Sequence, residues 1–222
     1  MSAHDLKSSA GFSLFELIIA MAITLILMGL ASTLLAGSFN IRGREDQKTF
    51  ALADSNRALN FMTREIANSG FGLTNNGIVA ADSAERQIRV RANLNAFDGE
   101  LSSSAVSDSN EDIRYRLVQT TTDSYIERLD VNTGARTTVL ANRVDEFRVR
   151  YFADKVDYTP GACDISTTAT EVANKKDAKY LVLIVCVNLP ARGTPGSPGY
   201  QPESSVQLLS DVTLRNADLV KY

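Results

Sequence analysis

Residues 12–39 read FSLFELIIAMAITLILMGLASTLLAGSF, an apolar run interrupted by one charge, Glu16. A short polar leader, MSAHDLKSSAG, occupies residues 1–11 directly before it. About 20 apolar residues suffice to cross a bilayer, so this run is long enough to span one. An unpaired carboxylate in hydrocarbon costs about 2.5–3.5 kcal/mol even on the milder insertion scales, so Glu16 needs a reason to be there. A cleavable secretory signal has a basic region first, then an apolar stretch of about 7–15 residues, then a small-residue cut site. Here the apolar stretch is longer, no such site follows it, and the chain continues into SFNIRGREDQ. The small residues Ser9, Ala10 and Gly11 come before the run. The order of parts is reversed.

The string Gly11-Phe12-Ser13-Leu14-Phe15-Glu16-Leu17 resembles the prepilin cleavage and methylation motif of type IV pilins and type II secretion pseudopilins. The resemblance implies cleavage between Gly11 and Phe12, N-methylation of Phe12 and retention of the apolar helix as a filament core. It implies as partners a prepilin peptidase/N-methyltransferase, other major and minor pilins, an inner-membrane assembly platform and membrane lipid. It also implies a single pass through the bacterial inner membrane with a periplasmic head, followed by a cell-surface pilus or a periplasmic pseudopilus. Glu16 becomes the fifth residue of the mature chain, where the family carries its Glu. Two features depart from the family pattern. Lys7 is the only leader cation, with Asp5 near it, and Arg42, Arg44 and Lys48 follow the span, which leaves little positive-inside signal. Many major pilins have a helix-kinking Pro, whereas this chain has none before Pro160.

The chemistry of Glu16 leads to the same place. Its carboxylate needs a cationic partner among apolar helices, and residues 12–39 offer none. The free α-amino group of Phe12 on a neighbouring subunit would supply one, given a stagger of about one turn. The alternative is a carboxylate near the end of a span that snorkels to the headgroups.

With the leader removed, the chain is one long helix plus one domain of ordinary size. Its net charge of −3 is unchanged by cleavage, because Asp5 and Lys7 cancel. Mild acidity argues against a dedicated nucleic-acid binder while leaving room for a local patch. Beyond the span, Leu52, Ser55, Leu59, Met62 and Ile66 recur at helical spacing with Ala51 and Ala58 beside them. Gly70 and Gly72 mark a stop. A helix over 12–69 would be about 87 Å long. The heptads are too few for a coiled coil.

From residue 85 the period changes to two. Ile88 and Val90 alternate with Arg89 and Arg91. Ile113, Tyr115 and Leu117 alternate with Arg114 and Arg116, and Phe147, Val149 and Tyr151 with Arg148 and Arg150. Each reads as a half-buried strand. Residues 125–140 read as a hairpin turning at 130–134, 180–189 as a central strand covered on both faces, and 206–215 as the last strand. The expected fold is α+β: a long N-terminal helix packed on an antiparallel β-sheet head. The expected divisions are a leader at 1–11, a transmembrane or filament-core half-helix at 12–39, an amphipathic half-helix at 40–72 and a β head at 73–222.

The stretch Phe61-Met62-Thr63-Arg64-Glu65-Ile66-Ala67-Asn68-Ser69-Gly70-Phe71-Gly72 and the closing Val212-Thr213-Leu214-Arg215-Asn216 resemble PilW-type minor pilins, with J-type pseudopilins as the nearest rival. The function implied is a minor pilin that primes or caps a type IV pilus-like filament. The rival implies a minor pseudopilin of a type II secretion system. A different class, a membrane-anchored periplasmic binding module, would retain residues 1–11.

Several head features bear on extra chemistry. The arginines at 89, 91, 114, 116, 148 and 150 could form an anion-binding face, or a solvated face balanced by Asp112, Glu127 and Glu146. Asp108, Asn110 and Asp112 open like a calcium loop, but Ile113 and Gln119 stand where that loop needs Gly and Glu. Residues 190–205 hold four of the five prolines and three glycines, an exposed loop that is either a contact surface or merely flexible. Cys163 and Cys186 are the only cysteines; in an oxidising periplasm they are expected to pair, the alternative being two buried thiols. The sole histidine, His4, is in the leader, and no catalytic or cofactor motif is present, so neither an enzyme nor a metal or cofactor site is expected.

Overall fold

The computed structural model describes residues 12–96, 106–141 and 143–217. Among the described residues one α-helix, α1, covers Leu14–Ala67, and nine strands follow. These are β1 (Gln87–Arg91), β2 (Asp112–Gln119), β3 (Ser124–Asp130), β4 (Arg136–Leu140), β5 (Val144–Phe152), β6 (Thr159–Pro160), β7 (Ile165–Ser166), β8 (Tyr180–Leu189) and β9 (Ser204–Thr213). The chain forms two compact units. Of the described residues, one comprises those through Arg44 together with Ala191–Pro202, and the other comprises those of Glu45–Pro190 and from Glu203 to 217.

In the first unit α1 begins after Ser13, whose Oγ accepts from the Phe15 N–H at 3.3 Å and so caps the helix. The side chains of the run are exposed almost without exception, including Phe15, Leu25, Met28 and Leu34. By length and composition the segment can cross a membrane. Its few hydroxyls are satisfied internally: Thr24 Oγ1 donates to Ala20 O at 2.9 Å and Ser32 Oγ to Met28 O at 2.8 Å. Glu16 apart, these side chains need no water, which is the condition for residence in lipid or among other apolar helices.

The second unit is built on the other half of α1. Ala51, Ala58, Leu59, Met62 and Ile66 form the expected stripe, and Met62 and Ile66 are fully buried. They pack with Ile88, Tyr115 and Ile126 of a four-stranded antiparallel sheet ordered β1-β2-β3-β4, and with Phe147, Leu181 and Leu183 of a three-stranded antiparallel sheet ordered β5-β8-β9. The head thus has two main sheets rather than one. β8 is the central strand of its sheet, as its continuous apolar sequence predicts. Leu181, Leu183 and Val185 join the helix-side core, while Tyr180, Val182 and Ile184 face away and are covered with Phe152 by Val156, Tyr158 and Ile165. That cover belongs to the excursion between β5 and β8, which a disulfide between Cys163 and Cys186 fastens to β8.

Element ends differ from expectation by about two residues, for visible reasons. α1 stops at Ala67, where Asn68 and Ser69 make tighter bonds to Glu65 O and Ile66 O. Gly70, at φ +80°, turns its N–H onto Arg91 O of β1. β9 spans Ser204–Thr213 because Leu214 and Arg215 leave the ladder: Leu214 N donates to Lys179 O and Arg215 N to Ala67 O, the last helical carbonyl.

Ile66→Ala, at a fully buried site where helix and sheets meet, is expected to destabilise the head by about 2–5 kcal/mol in denaturant unfolding of the detergent-solubilised protein. Reduction of the disulfide, which closes a separation of 23 residues, is expected to remove about 3 kcal/mol in the same assay.

Candidate assembly surfaces

The amino-terminal surface consists of residues 12–39. Phe12 is the first described residue; Gly11, the other half of the expected cleavage junction, lies outside the described residues. Glu16 sits in the first turn of α1, where the exposed N–H groups and the helix dipole favour a negative charge. Its side chain is exposed, and among the described residues it has no ion-pair partner. It faces outward on an apolar helix, available to a cation from outside the chain.

In the head, the six arginines of the expected anion-binding face do not form one stripe. Arg89, Arg91, Arg114 and Arg116 belong to the four-stranded sheet, and Arg148 and Arg150 to the other. Five of them are engaged within the chain. Arg89 grips Asp112 with two 2.7 Å bonds and also reaches Asp82, while Arg91 Nε donates to Asp112 Oδ2 at 2.7 Å. Arg116 pairs with Glu127 at 2.8 Å. Arg148 pairs with Glu85 and Glu146, and Arg150 with Asp164 and Glu171. Arg114 makes no ion pair among the described residues, and its Nε is buried without a partner. Charges so closely matched hold the sheet surfaces together more than they attract an outside anion.

The pairing leaves a mark on titration. Burial alone would raise the Asp112 carboxyl, but hydrogen bonds from Arg89 and then Arg91 outweigh it and hold the group below the usual carboxylate range. At Asp130, burial is likewise outweighed by the backbone N–H groups of Asn110 and Thr133. Asp130 organises the loop that opens like a calcium site: Asn110 N and Ser109 Oγ donate to its Oδ2 at 2.8 and 3.0 Å. Among the described residues no group of three or more His, Cys, Asp or Glu could hold a metal ion.

Three features had little signature in the sequence. A clamp fixes the end of α1 to the sheet: Arg128 on β3 donates Nε and Nη2 to the two Glu65 oxygens at 2.9 Å each, and Tyr115 OH donates to the same carboxylate. Burial and the Glu65 charge push the Tyr115 phenol up. A groove of about 910 Å³ runs between α1 and β4, with Arg57, Phe61 and Arg64 on the helix wall and Thr137, Thr138 and Val139 on the strand wall. β4 is an edge of its sheet, and among the described residues its outer backbone groups are unpaired. Lastly, Ala191–Pro202 is seated against the helix, where Arg44 Nη2 donates to Pro202 O at 2.6 Å. The proline- and glycine-rich composition announces a loop but says nothing of where it rests.

Residues 6–32 match the prokaryotic N-terminal methylation motif. That match contains the junction, Phe12, Glu16 and most of the apolar run. No curated protein matches the chain. Among solved structures, the chain is similar to a type IV-like pilin from Thermus thermophilus, with 16% sequence identity and a TM-score of 0.45 over 75% of this chain and 97% of that one.

Asp112 contributes stability that is full above the ordinary carboxylate pKa of about 4 and is lost as pH falls through its depressed folded value. Asp112→Asn is therefore expected to lower stability by about 1–3 kcal/mol at pH 7 and to flatten the acid limb below about pH 4. Thermal unfolding by circular dichroism across that range checks both parts.

Proposed function

We propose that this chain is a pilin-like filament subunit, matured by cleavage between Gly11 and Phe12 and methylation of Phe12, and that it acts as a minor pilin that primes or caps a type IV pilus-like filament. The observation that carries the reading is the conjunction at the amino terminus. A match to the N-terminal methylation motif covers the start of α1, where the apolar side chains face outward and Glu16 has no ion-pair partner among the described residues. Such a helix is satisfied first by lipid and then by other helices of its kind. Cleavage creates the missing cation: the new α-amino group of Phe12 on one subunit meets Glu16 of the next. Removing either member leaves the other charge alone among apolar helices, a penalty large enough to prevent packing.

The head supports assembly rather than catalysis. Many of its charged side chains are spent on internal pairs, and the β4 edge, open among the described residues, lies beside a groove and offers a neighbour's head a place to dock. In this reading the partners are the prepilin peptidase/N-methyltransferase, other pilins, the inner-membrane assembly platform and lipid.

Intact-mass measurement on protein purified from cells with active prepilin peptidase is expected to show a chain beginning at Phe12 and carrying one added methyl group. A chain that still holds residues 1–11 in those cells sinks the reading in favour of a membrane-anchored binding module. Glu16→Val is expected to be processed normally yet to be missing from sheared filaments, while Glu16→Asp retains some incorporation.

A further inference from the structure

The loop Ala191–Pro202 is held in one shape and seated on α1 at one height. Its neck is a two-way backbone pair, Arg192 N to Gln201 O at 2.8 Å and Gln201 N to Arg192 O at 2.9 Å. Within it, Ser197 N donates to Thr194 O and Tyr200 N to Ser197 O. Its contact with the helix runs along Gly37–Arg44. Gly37 is buried, although the helix around it is exposed. A Cβ on Gly199, at φ +77°, would fall 2.4 Å from Gly37 Cα, so the two backbones meet at a distance only glycine permits. Further along, Gly193 lies against Asn40, Arg192 against Gly43, and Pro202 O takes the Arg44 guanidinium.

That height has a physical meaning if residues 12–39 span a membrane, the reading on which this inference rests. With Glu16 at one headgroup layer, residues 17–36 rise about 30 Å, the thickness of the hydrocarbon core. Gly37 then stands at the far boundary, and Gly37–Arg44 crosses the headgroup layer beyond it. The side chains gathered there are those that bilayer interfaces favour. Tyr200 is half-buried, Arg192 lies on the loop, and Arg42 is exposed on the helix. Tyrosine places an apolar ring and a hydroxyl at the headgroup level, and arginine offers a planar fork to phosphate.

We propose that the loop 191–202, with Arg42 of α1, is a phospholipid-binding collar that rests in the headgroup layer and sets the depth of the helix in the bilayer. Tyr200 inserts its ring at the boundary, and Arg42 and Arg192 take lipid phosphates. The cations that follow the span, which a simple positive-inside count would place on the other side, gain in this way a partner on their own side.

The chain has no tryptophan, so Tyr200→Trp makes a single reporter in the full-length protein. Reconstituted into phosphatidylcholine vesicles containing some phosphatidylglycerol, its fluorescence is expected to be quenched severalfold more by a spin label on the lipid headgroup than by one deep in the acyl chain. Leu27→Trp, near the middle of the run, is the reference and is expected to show the opposite order. Adding Arg42→Gln and Arg192→Gln to Tyr200→Trp is expected to at least halve the headgroup quenching. If Leu27→Trp reports the deep label while Tyr200→Trp is insensitive to the headgroup label, the collar is overturned and the span stands. If Leu27→Trp is insensitive to the deep label, the span falls and the collar falls with it.

Discussion

One helix in this protein must satisfy two different surroundings, and most of the structure follows from that. Over its first half α1 is apolar all round and, Gly37 apart, exposed, so water cannot complete it. Over its second half it is apolar on one stripe, and that stripe is fully covered by sheet residues. The change falls near Arg44 and Glu45, where charged residues enter the helix and the compact head begins. A carboxylate at the first turn is the one polar demand the exposed half makes. The helix dipole meets part of it, and among the described residues no cation meets the rest.

The head answers a different problem, that of stacking arginine-rich strands. Arg89 and Arg114 stand directly opposite each other across β1 and β2, an arrangement that would repel if left bare. Asp112 and Asp82 take up Arg89, Glu127 takes up Arg116, and acids from outside the strands serve Arg148 and Arg150. The sequence had shown acids near these arginines in number, but the identity of each partner depended on strand register. Arg150, for example, meets Asp164 and Glu171, both in the excursion between β5 and β8. That excursion also covers the far face of β8 and carries Cys163, so one segment supplies a lid, two carboxylates and a disulfide partner.

Much of the fold was legible because its signals are local. The apolar run, the 3.6-residue stripe from Ala51 to Ile66 and the alternation around Ile88, Tyr115 and Val149 each depend on side chains a few positions apart. The continuous apolar run 180–189 read correctly as a central strand for the same reason. The candidate site divides in the same way: Phe12, Glu16 and the junction are contiguous, so their spacing can be read directly. The Glu65–Arg128 clamp joins residues 63 positions apart, and no local period announces it.

By itself, then, the sequence determined the apolar run, the helical stripe beyond it, the alternating strands, the reversed order of leader and apolar run, and the offset of Glu16 from Phe12. These are properties of spacing, and spacing survives without a fold. The tertiary structure alone decided that the strands divide into two sheets and that five of six arginines are occupied by named acids. It also decided that β4 is, among the described residues, an open edge and that Ala191–Pro202 rests on the helix at Gly37. Each of these depends on which distant segments become neighbours, and that is set by packing of the whole chain, which no short window of sequence contains.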